Sequence, residues 1–253
     1  MSTTVVVGAA RGIGATTARR LAEASYTDRL ILADLDGAGV GRVAEELRER
    51  GHDVTGHALD LTDHAALDAF ASTTADAERV ALVAGAFVAA PALEITPEQF
   101  QRILGVNLTG TYFAAQAYAQ RMAANGGGSI CAVASIAARM PRMRQVGYCA
   151  SKAGVRHALR VLGMEVAPAG VRVNTVSPGI TDTPMMREVA ADHMTVADLA
   201  LGSPEAMRPR IPDGRVATTD DVAEAVAFLL SPAADHVTLQ DLVVDGGELL
   251  GMA

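Results

Sequence analysis

Ser135, Tyr148 and Lys152 have the types and spacing for chemistry on an alcohol or ketone. Residues 128–133 are an apolar run that opens on glycine and reads as a buried strand. Residues 148–166 read as a helix, so Tyr148 and Lys152 stand one turn apart on the same face. A free tyrosine has a pKa of about 10 and is a poor base at neutral pH. A lysine cation one turn away favours the phenolate and draws that value toward the working range. Ser135, at the strand end, is suited to hold the oxygen of the reacting group. Tyr and Lys at helical spacing also occur on exposed helix faces, so the rest of the chain must decide between chemistry and chance.

The elements that position these residues alternate between strand and helix. Residues 4–7 are a β-branched strand. It runs into Gly8-Ala9-Ala10-Arg11-Gly12-Ile13-Gly14, and a helical pattern then continues to about residue 24. A glycine turn between strand and helix lets the backbone approach a pyrophosphate, with the helix N-terminus as a positive pole. The spacing is GxxxGxG rather than GxGxxG, and such glycines also serve tight strand–helix packing. The next strand, 29–34, ends at Asp34, 20 residues after Gly14. A dinucleotide-binding fold places an acid there for the adenosine ribose hydroxyls; a plain turn, Asp34-Leu35-Asp36-Gly37, is the other reading.

A helix over 38–50 and a strand over 53–59 follow, ending at Asp60-Leu61, with Thr62 as the expected cap of the next helix. His57, Asp60, Asp63 and His64 fit a strand end and a helix start better than a metal site, and no metal is expected. Residues 80–85 are a fourth strand, and Pro97 opens a long helix that contains Asn107. A strand over 171–176 leads into Ser177-Pro178-Gly179-Ile180. Residues 181–212 are irregular, Met-rich and interrupted by proline, which predicts a lid over the substrate. Asp220-Asp221 opens a helix to Leu230, and 239–244 is the last strand. The alternation implies one α/β domain built on a doubly wound parallel sheet with helices on both faces.

The bulk composition narrows the partners. Half of the 253 residues are hydrophobic, enough for a sizeable core. A net charge of −8 argues against nucleic acid and anionic membranes. Cys131 and Cys149 are too few for a disulfide framework. The start lacks a basic signal-type region, and the longest apolar run, 80–93, has 14 residues broken by Gly and Pro. A soluble, cytoplasmic protein is expected.

Gly8-x-x-x-Gly12-Ile13-Gly14, Asp34, Asp60, Asn107, Ser135, Tyr148-x-x-x-Lys152 and Pro178-Gly179 resemble, in this order and spacing, the short-chain dehydrogenase/reductase family over nearly the whole chain. The resemblance implies a seven-stranded Rossmann-like sheet, a nicotinamide cofactor and a catalytic tetrad of Asn107, Ser135, Tyr148 and Lys152. Lys152 would also bind the nicotinamide ribose, and Asn107 would position a water that relays the proton. The cofactor contacts it implies are Gly8, Arg11, Gly12, Ile13, Gly14, Asp34, Leu35, Asp60, Leu61, Ala84, Gly85, Tyr148, Lys152, Pro178, Gly179, Ile180 and Thr183. Asp34 favours NAD, because a carboxylate repels a 2′-phosphate; Arg11 is the counter-indication. Three departures stand out. The family's Thr before the first glycine is Val7, its Asn-Asn-Ala-Gly is Leu82-Val83-Ala84-Gly85, and Arg144-Gln145 replaces a Gly-Met of one subgroup.

That subgroup acts on 2,3-dihydro-2,3-dihydroxybenzoate in catechol siderophore synthesis. Pro141-Arg142-Met143, residues 176–185 and the tail 236–247 resemble it. The reaction implied is NAD-dependent oxidation of a ring hydroxyl, on that acid or on 2,3-dihydro-3-hydroxyanthranilate. Alternatives are a reductase of another ketone or acyl-thioester, and a non-catalytic dinucleotide sensor. An acid substrate needs a cation, and an arginine fork matches a carboxylate with two bonds. Arg142 or Arg144 is expected to bind the carboxylate, Gln145 to read the C2 substituent, and Met185 and Met186 to close over the ring. Arg139 is expected in solvent or at a subunit interface. The apolar stretch 112–118 predicts a homotetramer, with a dimer as the alternative.

Overall fold

The computed structural model describes residues 2–190 and 195–251. Seven parallel strands form one sheet: β1 (Thr3–Val7), β2 (Arg29–Asp34), β3 (Asp53–Ala58), β4 (Ala77–Leu82), β5 (Gly128–Val133), β6 (Val171–Pro178) and β7 (Asp241–Val244). Their order is β3-β2-β1-β4-β5-β6-β7. The helices are α1 (Gly12–Ala22), α2 (Gly37–Glu49), α3 (His64–Thr73), α4 (Pro97–Leu104), α5 (Thr111–Ala124), α6 (Val146–Val166), α7 (Pro184–Ala190) and α8 (Thr219–Leu230).

Both faces of the sheet are covered, which is why the central strands are apolar at every position rather than alternating. Val5, Val7, Ile31, Val80, Leu82 and Ile130 face one core with Leu67, Tyr118, Met122, Val155 and Leu159 of α3, α5 and α6. Val6, Leu30, Leu32, Ala81 and Cys131 face the other core with Leu21, Val40, Leu47, Val222 and Val226 of α1, α2 and α8. The chain winds outward in one direction from β1 and in the other from β4. The crevice beyond the carboxyl ends of these two neighbours is therefore the topological switch point, where open α/β sheets bind ligands.

Element ends depart from expectation for local reasons. β4 stops at Leu82 rather than 85, because the N–H groups of Val83 and Ala84 both turn to the Val7 carbonyl (2.8 and 3.1 Å). Asp63, not Thr62, caps α3, its carboxylate accepting from Ala65 and Ala66. β7 begins at Asp241 rather than 239: Leu239 sits at φ 63°, and the N–H of Gln240 is taken by the Asn174 side chain. The expected lid contains α7 and a 3-10 turn, Ala197–Leu201; its residues 191–194 lie outside the described residues. No described helix is long and apolar enough to cross a membrane.

Candidate active site

Ser135 follows β5 in an extended conformation, and its hydroxyl caps the 3-10 turn Ile136–Ala138 by accepting from the Ala137 N–H (3.1 Å). Tyr148 lies in the first turn of α6, and Lys152 is one turn further on. Lys152 is 4% exposed; its ammonium donates to the Val133 carbonyl at 2.8 Å and lies 5.8 Å from the Tyr148 ring centre. Burial pulls Lys152 down to about 8, so it is largely cationic at neutral pH and loses its charge as pH rises through that value. Burial also pushes the Tyr148 phenol up, while a hydrogen bond with Ser135 pulls it back. A base at this position would therefore have to overcome desolvation as well as the ordinary tyrosine value. Phe87, on the loop after β4, meets the Tyr148 ring edge-on at 5.1 Å.

Asn107 sits in a π-helical turn, Gly105–Gly110, between α4 and α5. It is fully buried. Its carbonyl accepts from Ala86 N–H (2.7 Å), and its amide donates to the Ala86 carbonyl (2.9 Å) and the Ser151 hydroxyl (3.1 Å). Ser151 in turn donates to the Tyr148 carbonyl (2.8 Å). Both amide hydrogens are thus used in clamping the β4 loop to α6; on the side chain, a relay water could reach only the second lone pair of the carbonyl oxygen. Gly85 lies against this group: a Cβ there would be 3.7 Å from Asn107 Oδ1 and 3.8 Å from Lys152 Nζ.

The switch-point crevice fits a dinucleotide. A Cβ on Gly8 (φ 90°) would stand 2.3 Å from the Ala84 nitrogen, and one on Gly14 would stand 1.8 Å from the Gly8 carbonyl oxygen. α2, α3, α4 and α8 begin with side-chain caps, whereas α1, like α6, has none and no acid in its first turn. Its first N–H groups are left for an anion, as a pyrophosphate requires. Asp34 ends β2 and accepts from the N–H groups of Ala10 and Asp36 (both 2.9 Å), tying the glycine turn to its own carboxylate. Leu35 is exposed beside it. Asp60 accepts from the Thr62 N–H and hydroxyl, which hold it below the usual carboxylate range, and Leu61 is buried beside it. Arg11 pairs with Glu188 of α7 at 3.2 Å. Thr183 and Pro184 lie 3.6–3.7 Å from where a Gly12 Cβ would be, so the lid arrives over the glycine turn. Pro178 ends β6, and Gly179 and Ile180 follow it, with the Gly179 N–H donating to Val244 (2.9 Å).

On the substrate side the residues separate. Arg139 is not in solvent: its side chain is 14% exposed and its guanidinium pairs with the buried Asp241 at 2.7 Å. Arg144 is exposed at φ 65°, and its carbonyl accepts from Ala90 N–H, which points to a loop-shaping role. Arg142 is turned inward, its side chain 10% exposed, and donates to the buried Glu248 at 2.7 Å. Gln145, Met185 and Met186 are half-buried. Phe87, Arg208 and Glu248 were not singled out in the sequence. Glu248 had one visible signal, an acid between glycines and leucines in Gly246-Gly247-Glu248-Leu249-Leu250.

A family model described as enoyl-(acyl carrier protein) reductase matches residues 8–248. The 2,3-dihydro-2,3-dihydroxybenzoate dehydrogenase of Bacillus subtilis is 35% identical, over 98% of this chain and 95% of that protein. The D-threitol dehydrogenase of Mycolicibacterium smegmatis is 36% identical, over 96% and 91%. A crystal structure from Beutenbergia cavernae, provisionally assigned as an NAD(P)-dependent gluconate 5-dehydrogenase and holding NADP at low occupancy, superposes with a TM-score of 0.88. It is 32% identical over 99% of this chain and 97% of that one. With its seven-stranded parallel sheet, its uncapped glycine turn and its Ser135–Tyr148–Lys152 centre, the chain belongs to the short-chain dehydrogenase/reductase family of nicotinamide-dependent oxidoreductases.

Proposed function

We propose that the enzyme oxidises a ring hydroxyl of a cyclic dihydro-hydroxybenzoate-type acid, 2,3-dihydro-2,3-dihydroxybenzoate or 2,3-dihydro-3-hydroxyanthranilate, with NAD. The product would be an aromatic acid for a siderophore or another secondary metabolite. The observation that carries the acid reading is Arg142, a guanidinium turned inward from the loop that joins Ser135 to Tyr148. The relatives act on both an acid and a neutral polyol at nearly equal identity, so the substrate charge has to be argued from the site.

In this reading Tyr148 takes the proton of the C3 hydroxyl, Ser135 holds the oxygen as carbonyl character develops, and the Lys152 cation favours the phenolate. A nicotinamide held beside them would supply the acceptor for the C3 hydride. The cyclic dienone that leaves tautomerises to a phenol, and aromaticity makes the overall step one-way. Glycines 8, 12 and 14 would hold the pyrophosphate, Asp34 the adenosine ribose, and Lys152 with residues 178–183 the nicotinamide end. NAD is favoured over NADP because the Asp34 carboxylate offers no donor to a 2′-phosphate, while Arg11 already has Glu188 as a partner. A homotetramer is supported by exposed Phe113 on α5 and Val161 and Met164 on α6.

The test is turnover of both acids and of D-threitol with NAD and with NADP. The expected result is NADH formation on at least one acid, with weaker turnover of threitol and with NADP. Threitol as the better substrate overturns the acid reading, and equal efficiency with NADP overturns the cofactor reading.

A further inference from the structure

Arg142 does not stand alone. Arg142 comes from the Ser135–Tyr148 loop, Arg208 from the segment after β6, and Glu248 from the tail after β7. They meet beyond the carboxyl ends of the strands. Glu248 is fully buried, and the two arginine side chains are 10% and 11% exposed. Glu248 Oε1 accepts from Arg142 Nη2 at 2.7 Å, with Arg208 Nη1 at 4.0 Å. Yet Arg142 Nη1, Arg208 Nη1 and Glu248 Oε2 are all buried with no hydrogen-bond partner. Buried guanidinium groups are ordinarily bonded throughout, because an unmade bond leaves the desolvation cost uncompensated. Two cations around one anion also leave a net charge of +1 in a buried place. Burial and the like charge of Arg142 push Arg208 below its ordinary value against the pull of Glu248.

The chain is shaped to bring Arg208 there. Ser203 and Arg208 exchange backbone hydrogen bonds (both 2.9 Å), closing a tight turn. Gly202 adopts φ 79°, where a Cβ would stand 2.7 Å from the Arg208 carbonyl oxygen. Met207 takes a left-handed φ of 50° and is 84% exposed, so the turn directs the methionine outward and the arginine inward. The cluster borders the cofactor side of the crevice, since a Cβ on Gly179 would be 3.3 Å from Glu248 Oε2.

We propose that Arg142 and Arg208, with Glu248 as their counter-ion, form a two-pronged site for the carboxylate of the substrate, each Nη1 donating to one oxygen. The proposal rests on the reading of the substrate as an acid. It assigns the carboxylate to Arg142 and adds Arg208, while Arg144 stays outside. The paired donors suit a planar carboxylate; the open acceptor Glu248 Oε2 takes its bond from a donor group, not from that carboxylate.

The test compares benzoate with its neutral isostere benzamide as ligands of the NAD-saturated enzyme, in wild type, Arg142→Met, Arg208→Met and the fold-preserving Arg208→Lys. NAD affinity is measured in parallel. The expected result is that the preference for benzoate falls roughly ten- to a hundredfold in both Met variants and less in Arg208→Lys, with NAD affinity retained. An unchanged preference in both Met variants overturns the site. Loss of NAD affinity in place of benzoate preference also overturns it, by assigning the arginines to a cofactor phosphate. If the dihydro-acids are not oxidised but the benzoate preference still depends on both arginines, the acid-oxidation reading fails and the carboxylate site stands.

Discussion

Two buried carboxylates in this protein each face two arginines, and they are built differently. Asp241 opens β7. Its Oδ1 accepts from the Thr175 and Ser177 hydroxyls (2.8 and 2.6 Å), and its Oδ2 accepts from Arg139 Nε and Nη2 (3.1 and 2.7 Å) with Arg156 Nε at 3.0 Å. Both oxygens are occupied by the protein itself, although Arg156 Nε is ion-paired at 3.0 Å without a hydrogen bond. Glu248 has one bond, from Arg142, and its second oxygen has none. Arg139 and Arg142 lie three residues apart in the same loop and serve opposite ends. A short acid on a strand can be saturated by hydroxyls on the neighbouring strand. A longer acid in a turn, facing arginines from two other segments, leaves one of its own oxygens and an Nη1 of each arginine open. The first cluster locks β6, β7 and α6 together; the second has capacity left for a ligand.

That contrast can be broken by mutation. The largest effect is expected for Asp241→Asn, which leaves Arg139 and Arg156 as uncompensated buried cations. A loss of about 3–5 kcal/mol in unfolding free energy is expected, with the benzoate-to-benzamide preference of the folded fraction intact. A denaturant titration alongside the ligand measurement checks both, and a stability like that of wild type would remove the locking role. Next comes Tyr148→Phe, which touches neither cluster. Turnover should fall by at least about a hundredfold, the usual scale of a lost acid–base group, while NAD affinity, benzoate preference and stability hold. Near-normal turnover would rule out Tyr148 as the base.

Much of this molecule was legible in its residues. The glycine turn, Asp34 and the helical spacing of Tyr148 and Lys152 are local patterns with few structural solutions, and the sheet followed from the strand–helix alternation. A further signal lay unused: Lys152 is the only lysine among 21 basic residues, every other cation being arginine. An arginine cannot replace a compact ammonium whose pKa burial can tune. The Glu248 cluster was not legible, because its members are 106 and 40 residues apart in sequence and meet only through turns at Gly202 and Gly246. The expectation of Arg139 in solvent fails for the same reason: Asp241 is 102 residues away. The role of Asn107 was half legible. Its burial suits a polar group flanked by apolar ones, but its clamp on Ala86 depends on a π turn that has no sequence periodicity of its own.

The smallest expected effect is the one that separates the two carboxylates most finely. Glu248→Gln keeps an oxygen for Arg142 Nη2 and removes the charge. Because Glu248 makes one strong bond where Asp241 makes several, the stability loss should be about 1–3 kcal/mol, the scale of one charged hydrogen bond, and below that of Asp241→Asn. The two arginines then carry a net +2 in place of +1 in a buried setting, where charge acts strongly. Benzoate should therefore gain over benzamide in this variant while it loses in Arg208→Met, an inversion of sign that a merely structural ion pair would not produce. A fall in benzoate preference would mean that the hold on Arg142 outweighs the charge. A stability loss equal to that of Asp241→Asn, with the preference unmoved, would make the two clusters the same kind of lock and end the distinction between them.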